Sequence, residues 1–206
     1  MAEKANKVKF NLKNTHYALL TIGEDGTPTF GTPVPMPGSV SISLDANGEP
    51  ENFYADGGVY YVINNNCGYD GDLELALIPE SFRTDVLKET LDSKGVLIEN
   101  SEVELAAFAL LFEFDGDQKH IRHVLYNCSA SRPGIEGKTN EDSKEVQTEK
   151  LSLKAVPLAN GMVKAKTGNT TDATTYADWY KAVYVPVAES DAATQSTAKP
   201  AKSVKE

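Results

Sequence analysis

The sequence predicts a mainly β protein built from antiparallel strands, with one or two short flanking α-helices. Three observations support this fold class. Residues 39–44 (SVSISL) alternate apolar and polar side chains, as a half-buried strand does. Residues 105–114 (LAAFALLFEF) form a run that is apolar on both faces. Asp-Gly and Asn-Gly pairs stand between such runs, at 115–116 and 160–161, where tight hairpin turns are expected.

The N-terminal half predicts a succession of short strands. Residues 7–22 contain two strand-like runs, and the Pro-rich segment 23–38 predicts an extended loop or an edge segment, because four prolines exclude a helix or a central strand. Residues 53–57 (FYADG) and 58–66 (GVYYVINNN) predict two further short strands or one interrupted strand. In the segment 69–79, Leu73, Leu75 and Leu77 are expected to share one face.

Two segments break the β pattern and predict amphipathic helices. Residues 79–91 have apolar side chains at helical spacing after Pro79, a residue favoured at helix starts. In residues 170–184, the side chains of Tyr176, Trp179, Tyr180 and Val183 are spaced for one buried stripe. The composition then changes, and residues 187–206 carry too few large apolar side chains to fold. The predicted organisation is one β domain at 1–186 and a disordered tail at 187–206.

The C-terminal strands carry the first candidate site. The two-sided apolar strand is expected to lie inside the monomer or at a contact between subunits, and its candidate contact residues are Phe108, Leu110, Phe112 and Phe114. In the next strand, Val124, Tyr126, Cys128 and Ala130 are expected to share a face. A strand at 146–156 is followed by the Asn-Gly pair, which predicts a tight hairpin at 158–168.

The composition restricts the possible partners. The chain has 206 residues and a formal net charge of −10, with 20 basic and 30 acidic side chains. It lacks the clustered Lys and Arg that hold phosphates, so tight DNA binding and docking on an anionic membrane are not expected. No segment approaches the ~20 apolar residues of a membrane span, and no signal peptide is evident. Two separated cysteines, Cys67 and Cys128, predict free and mostly buried thiols in a cytoplasmic protein.

The residues that could carry chemistry form no recognisable catalytic or metal motif. His120 and His123 lie three apart in a predicted strand and should therefore face opposite sides, while His16 stands alone. The Asp-Gly-Asp triplets at 70–72 and 115–117 lack calcium-loop spacing and are typical of turns. No nucleophile, phosphate-loop or dinucleotide motif is present. The sequence thus predicts a non-enzymatic protein without cofactor or metal.

Two further segments leave alternatives open. The aromatic residues at 53–61 could stack on a sugar or a base, although packing in the core and within a hairpin is the preferred interpretation. The polar segment 132–145 is either an ordinary surface loop or an arm that docks on a neighbouring subunit. The candidate docking residues of this segment are Arg132, Pro133, Gly134, Ile135, Glu136, Gly137, Lys138, Thr139, Asn140, Glu141 and Asp142.

Three long blocks of the chain, at 31–87, 108–133 and 174–184, resemble the major tail proteins of long-tailed, non-contractile bacteriophages. They begin GTPVPMPGSVSISLDANGEP, FALLFEFDGDQKHIRHVLYN and TTYADWYKAVY, and the resemblance covers about residues 4–186. It implies a tail-tube type β-sandwich that forms hexameric rings, with a β-barrel lining the lumen. Such rings would stack around a tape-measure protein, with 132–145 reaching the adjacent ring.

The same resemblance implies a set of partners and a location. The partners would be further copies of the chain, a tail terminator, and distal tail or baseplate proteins. Phage DNA would pass through the lumen without specific binding, and the protein would be assembled in the bacterial cytoplasm and end in the virion tail. The alternative function is a β-sandwich binding module for carbohydrate or receptor recognition, which should present an exposed aromatic platform at 53–61. An enzyme with an unrecognised site is a third hypothesis.

Overall fold

The computed structural model describes residues 4–140 and 144–186. Two short helices, α1 (Glu80–Asp85) and α2 (Ala173–Asp178), accompany thirteen strands. The strands are β1 (Lys9–Ile22), β2 (Pro28–Phe30), β3 (Val34–Pro35), β4 (Ser39–Asn47), β5 (Glu51–Ala55), β6 (Gly58–Ile63), β7 (Gly68–Leu75), β8 (Thr90–Leu91), β9 (Leu97–Ile98), β10 (Phe108–Gly116), β11 (Ile121–Ala130), β12 (Glu149–Ala155) and β13 (Lys164–Lys166). The predicted mainly β, antiparallel fold with two short helices is confirmed.

Nine strands form one curved antiparallel sheet. Its order is β2-β1-β10-β11-β12-β7-β4, with β3 paired to β1 and β13 paired to β11. The sheet bends until its two sides face each other. Where they meet, the Ser39 hydroxyl donates to the Thr15 hydroxyl at 2.6 Å and the Met36 N–H donates to the Thr15 carbonyl at 2.7 Å. The result is a sandwich closed along one side by β11 and β12 and only partly closed along the other.

The interior of the sandwich holds the main hydrophobic core. Tyr17, Phe82 and Phe108 pack edge to face in sequence, with ring centroids 5.2 and 5.3 Å apart. Helix α1 contributes Phe82, and the hydroxyl of Tyr17 donates to Asp85 at the end of the same helix. Burial raises the pKa of Tyr17 to about 12, so this hydroxyl keeps its proton as a donor.

A second, smaller core lies on the outer face of β10 and β11. It is covered by α2 and the residues that follow it, with Trp179 fully enclosed and stacked on Tyr184 at 5.6 Å. The Trp179 and Val183 side chains of the predicted stripe are buried, while Tyr176 and Tyr180 are half-buried. Asp172 begins α2 by accepting hydrogen bonds from the N–H groups of two threonines.

The two cores explain why β10 is apolar on both faces. Phe108, Leu110 and Phe112 face the interior, Phe114 packs against the same cluster, and the alternate residues meet the second core. Side chains that are at most 5% exposed have no surface to offer a neighbour. The monomer interior therefore accounts for the burial of Phe108, Leu110 and Phe112, whereas Phe114 is only partly buried, and the role of these residues in a subunit contact stays a prediction.

Residues of β11 expected to share a face are divided between the two cores. Phe108 lies opposite Cys128 and Leu110 opposite Leu125, so β11 has one more residue than β10 between these pairs. This bulge reverses the side-chain alternation. Val124 and Tyr126 consequently lie in the outer core, whereas Cys128 and Ala130 lie in the interior.

The Asn-Gly turn is present, but the predicted hairpin around it is wrong. The Leu158 N–H donates to the Met162 carbonyl, and Gly161 has φ +81°. The flanking strands do not pair with each other. Instead β12 pairs with residues 128–130 of β11, and β13 pairs with residues 123–125 along the same edge. Leu158 of the segment between β12 and β13 is buried in the outer core, and Val163 of the same segment is also buried, which stabilises this segment.

Other elements differ in extent. The two runs at 7–22 form the single strand β1, which has register shifts along its pairing with β10. The Pro-rich segment forms the edge strands β2 and β3, as expected. Helix α1 ends at Asp85, and Lys88 has φ +60°, which stops helical continuation. The predicted disordered tail, 187–206, lies outside the described residues.

Candidate assembly surfaces

Two long connections lie at opposite ends of the main sheet. The first is the aromatic hairpin, residues 48–67, which joins β4 to β7 and contains β5 and β6. The second is the arm, residues 131–148, which joins β11 to β12. Successive connections in an antiparallel sheet alternate between its ends. The arm leads into β12 at Glu149, which lies opposite Leu75 at the end of β7. The hairpin leads into the start of β7, where Tyr69 lies opposite Ala155 at the end of β12. The hairpin and the arm therefore lie at opposite ends of the sheet.

The aromatic hairpin is a two-stranded sheet of its own, exposed on both faces. Both strands consist almost entirely of exposed residues, so these aromatic residues do not pack in the core, whereas the predicted packing within a hairpin is seen between Phe53 and Tyr60. Its exposed apolar side chains include Phe53 at 56%, Tyr54 at 66%, Tyr60 at 71% and Tyr61 at 64%. An isolated hairpin is at best marginally stable in water, and an apolar patch of this kind marks an interaction surface.

Backbone geometry fixes the shape of the hairpin. Asp56 and Gly57 both have positive φ, at 51° and 79°, as the tight turn between β5 and β6 requires. At the base, the Cys67 N–H donates to the Asn47 carbonyl at 2.9 Å. Gly48 has φ +111°, and a side chain there would lie 2.6 Å from the Asn65 carbonyl oxygen. These positions make the hairpin a preformed extension.

Two aromatic rings of the hairpin contact each other at an angle. Phe53 and Tyr60 meet edge to face, with centroids 6.5 Å apart and an interplanar angle of 79°. This pair therefore does not present both of its ring faces in one plane. The exposure of the four rings matches the platform expected of a binding module, whereas the geometry of this pair does not provide a flat one.

The described residues of the arm, 131–140 and 144–148, are almost all exposed, and side-chain contacts hold them at two points. Arg132 forms an ion pair with Glu99 at 3.1 Å, and the side-chain amide of Gln147 exchanges two hydrogen bonds with the backbone of Lys138. Ile135 is fully exposed between these anchors. Residues 132–140 of the predicted docking segment thus lie on the surface, and its last two residues, Glu141 and Asp142, lie outside the described residues.

The outer face of β7 is acidic. Asp70, Asp72 and Glu74 alternate with the inward-facing Leu73 and Leu75. Each carboxylate accepts a hydrogen bond from a neighbouring strand. The Ser152 hydroxyl holds the pKa of Asp72 below its ordinary value, and the Thr148 hydroxyl, followed by that of Ser41, does the same for Glu74. Asp72 and Glu74 therefore stay ionised at neutral pH, and Asp72 also forms an ion pair with Lys150 at 3.4 Å.

Strand β4 leaves one backbone edge open. It pairs with β7 on one side, and no strand within 4–140 and 144–186 pairs with its other side. Val40 on this strand is half exposed, and polar side chains flank it. An open edge of nine residues is a template for pairing with another chain.

A buried ion pair attaches α2 to the sheet. Glu113 of β10, almost fully buried, accepts from Arg122 at 3.0 Å and from Asn14 at 2.7 Å. The Arg122 guanidinium lies 3.9 Å from the ring centroid of Tyr176. Burial and the nearby Glu113 carboxylate raise the pKa of Tyr180, which also donates to that carboxylate. These charges are fully engaged in holding the outer layer.

The histidines and cysteines occupy ordinary structural positions. His123 stacks on Phe112 at 5.1 Å, and burial followed by nearby lysines lowers its pKa to about 4, whereas His120 contacts Asp115. Both thiols are free; Cys128 is buried, but Cys67 is exposed at the base of the hairpin, contrary to the expectation for it. Within the described part of the chain, no three His, Cys, Asp or Glu side chains are grouped to hold a metal ion.

One polar groove of about 460 Å³ lies beside the arm. Its central cation, Arg83, is held between Glu89 at 3.1 Å and Glu149 at 2.8 Å. Glu149 also accepts the Ile78 N–H at 2.6 Å. The charges in this groove thus serve to connect α1 with β12. Neither helix in the described residues is long and apolar enough to cross a membrane.

Three solved structures resemble this fold at low identity. A chain of the anti-feeding prophage baseplate aligns with a TM-score of 0.45 and 10% identity, covering 82% of this chain and 99% of that one. The tube-terminating cap of the anti-feeding prophage gives 0.43 and 8%, covering 80% and 94%. A type six secretion system protein gives 0.35 and 13%, covering 75% and 91%. With TM-scores below 0.5, these likenesses carry no argument about function.

No protein-family model and no curated protein matches the chain.

Proposed function

We propose that this chain is a non-catalytic structural subunit of a phage-type tail tube, which assembles into rings that stack head to tail. The observation that carries the proposal is the placement of two exposed extensions at opposite ends of one sheet. A subunit with a different interaction surface at each end contacts the next copy head to tail, through two different surfaces. Such heterologous contacts generate open-ended stacks. The sequence resemblance to major tail proteins supports the same assignment.

Within a ring, the open edge of β4 is the contact we assign to the neighbouring copy. Pairing at this edge would satisfy its free backbone groups and join the sheets of successive copies into a β-barrel. Six copies per ring is the number implied by the resemblance. The outer face of β7 would then line the lumen, where Asp70, Asp72 and Glu74 repel the phosphate backbone of passing DNA.

The further partners follow from open-ended growth. A stack of this kind does not end by itself. Its length therefore requires a tape-measure protein inside the lumen, a terminator at one end and distal tail or baseplate proteins at the other. The mature location would be the virion tail, after assembly in the bacterial cytoplasm.

Electron microscopy of two deletion variants tests this proposal. The purified chain at high concentration should give rings or hollow tubes in negative stain. Deleting 132–145, or replacing residues 50–64 of the hairpin with a two-residue turn, should leave the monomer folded and abolish stacking. Normal tubes from both variants would contradict the proposal.

A binding module is the second candidate function, because the hairpin exposes four aromatic rings. It differs in its expected behaviour. A binding module should stay monomeric at every concentration and retain glycans on an array, with binding lost on Tyr60→Ala. A tube subunit should assemble and bind no glycan. Assembly without glycan binding would exclude the module, and the converse would exclude the tube.

A further inference from the structure

The partly open side of the sandwich contains a cavity of about 360 Å³ at the hairpin end of the sheet. We call this cavity the mouth. Both layers of the sandwich contribute apolar side chains to it, namely Ile42 and Leu44 from β4 and Phe112 and Phe114 from β10. Lys9 and Lys164 stand at its rim. The mouth therefore combines an apolar floor with two cations.

The cations of the mouth lack an acidic partner. The Lys9 ammonium lies 4.6 Å from the ring centroid of Phe114, and that of Lys164 lies 4.2 Å from the ring centroid of Tyr69, whose hydroxyl it also contacts. No carboxylate in residues 4–140 or 144–186 forms an ion pair with either lysine. By contrast, Lys13 on the same strand as Lys9 pairs with Asp115 at 2.6 Å. In a chain of net charge −10, two unbalanced lysines beside an apolar cavity favour an occupant that is both apolar and acidic.

The arm presents such a pair of residues at the other end of the sheet. Ile135 is fully exposed, and Glu136 next to it has no ion-pair partner among the residues that the structure describes. The anchors at Arg132 and Lys138 lie on either side of the pair and hold the backbone there. In a head-to-tail stack, the arm end of one copy faces the hairpin end of the next, where the mouth lies.

We infer that Ile135 of one copy inserts into the mouth of the next copy in the stack, and that Glu136 pairs there with Lys164 and Lys9. This inference rests on the proposed function and assigns the partner of the arm in the stacking contact, beside the surface that the hairpin contributes to it. Burying the isoleucine against Leu44 and Phe114 removes apolar surface from water on both partners. The Glu136 carboxylate supplies the negative partner that the two lysines lack. This charge pairing fixes the position of one copy relative to the next in the stack.

A charge-swap experiment on the full chain tests the pairing. Glu136→Lys and Lys164→Glu should each raise the protein concentration needed for half-maximal assembly by about tenfold or more, because like charges then meet at the contact. The double variant should return to within about threefold of the wild type, since only a direct pair is restored by the exchange. Sedimentation measures assembly, and circular dichroism confirms that each variant is folded.

Two controls make the outcome decisive. Lys138→Glu, on the same arm, should leave assembly unchanged or strengthen it, because it makes the arm more acidic. In a Cys67→Ser background, Ile135→Cys with Leu44→Cys should give an interchain disulfide ladder under mild oxidation, and either cysteine alone should not. If the wild type assembles but the double variant is no better than the single ones and no ladder forms, the mouth accepts another segment, such as a neighbouring hairpin, and the inference is wrong. If the wild type never assembles, the proposed function itself fails.

Discussion

Strand β10 and the aromatic hairpin are similar in sequence character and opposite in environment. Both are rich in aromatic and aliphatic side chains on two faces. In β10 each face meets a core of the same chain, the interior on one side and the layer of α2 on the other. In the hairpin neither face is buried by the described residues, and seven large apolar side chains are exposed.

The difference shows what an apolar pattern reports. A strand with apolar side chains on one or both faces is expected to be buried in the functional form of the protein. The pattern does not show whether the same chain or another chain buries it. For β10 the burying surface is supplied by the same molecule, so its residues contribute to the stability of the monomer. For the hairpin the burying surface must come from outside, so its residues should contribute to assembly and little to monomer stability.

The largest expected effect follows from truncating β10. Phe108→Ala removes a fully buried ring that packs on Phe82, and it should lower the free energy of unfolding by about 3–5 kcal/mol. Chemical denaturation followed by circular dichroism measures this change. A loss below about 1 kcal/mol would mean that the interior is not packed as described.

Removing the partner of the buried charge on β10 should have the next largest effect. Arg122→Ala leaves Glu113 buried without its cation and should cost about 3 kcal/mol in unfolding free energy. The exposed pair of Lys181 and Asp178 gives the matched control, because Lys181→Ala should change stability by less than about 0.5 kcal/mol. Equal effects of the two variants would show that the outer layer is not attached through Glu113.

His123, which stacks on Phe112 of β10, predicts a pH effect. Its folded pKa of about 4 lies below the ordinary value of 6.5, so the unfolded chain binds a proton first as the pH falls. Its contribution to stability is therefore complete above pH 6.5 and declines between 6.5 and 4, by at most about 3 kcal/mol. His123→Gln should reduce the loss of stability across this interval. Parallel denaturation curves of the two proteins at pH 7 and pH 4.5 measure it, and identical pH dependence would contradict the assignment.

The sequence predicted the parts of this fold that follow from local chemistry. The alternation of Ile42 and Leu44 with serines in β4, the edge character of the Pro-rich segment, the turn after β10 and the buried Trp179 all follow from side-chain spacing and backbone restrictions. Val40 departs from the predicted alternation, because it is exposed beside a register shift in the pairing of β4 with β7. The bulge in β11 could not be predicted, because one extra residue leaves no mark in composition while it exchanges the faces of Val124 and Cys128. The pairing of both β12 and β13 with β11 could not be predicted either. An Asn-Gly pair indicates a tight turn, but it does not indicate which strand the two flanking segments pair with.

For the candidate surfaces, the sequence indicated the arm but misplaced the hairpin. The arm was recognisable as a polar segment between two long strands. The aromatic residues of the hairpin were assigned to the core, because pattern alone does not distinguish burial by the same chain from burial by another. The sequence does contain a signal for the exposed hairpin. Asp56-Gly57 is a tight-turn pair between two short strands, and a two-stranded hairpin is too narrow to bury its own apolar side chains.

The smallest expected effect on monomer stability comes from the hairpin itself. Tyr60 is 71% exposed and contacts Phe53 at a ring distance of 6.5 Å, so Tyr60→Ala should change the free energy of unfolding by no more than about 0.5 kcal/mol. The same change should strongly reduce assembly, because truncated aromatic anchors dominate the loss of binding at protein interfaces. Denaturation and sedimentation on the same preparation separate the two effects. A variant that loses stability but assembles normally would reverse the comparison with β10, placing the hairpin in the core of the monomer and its burying surface within the same chain.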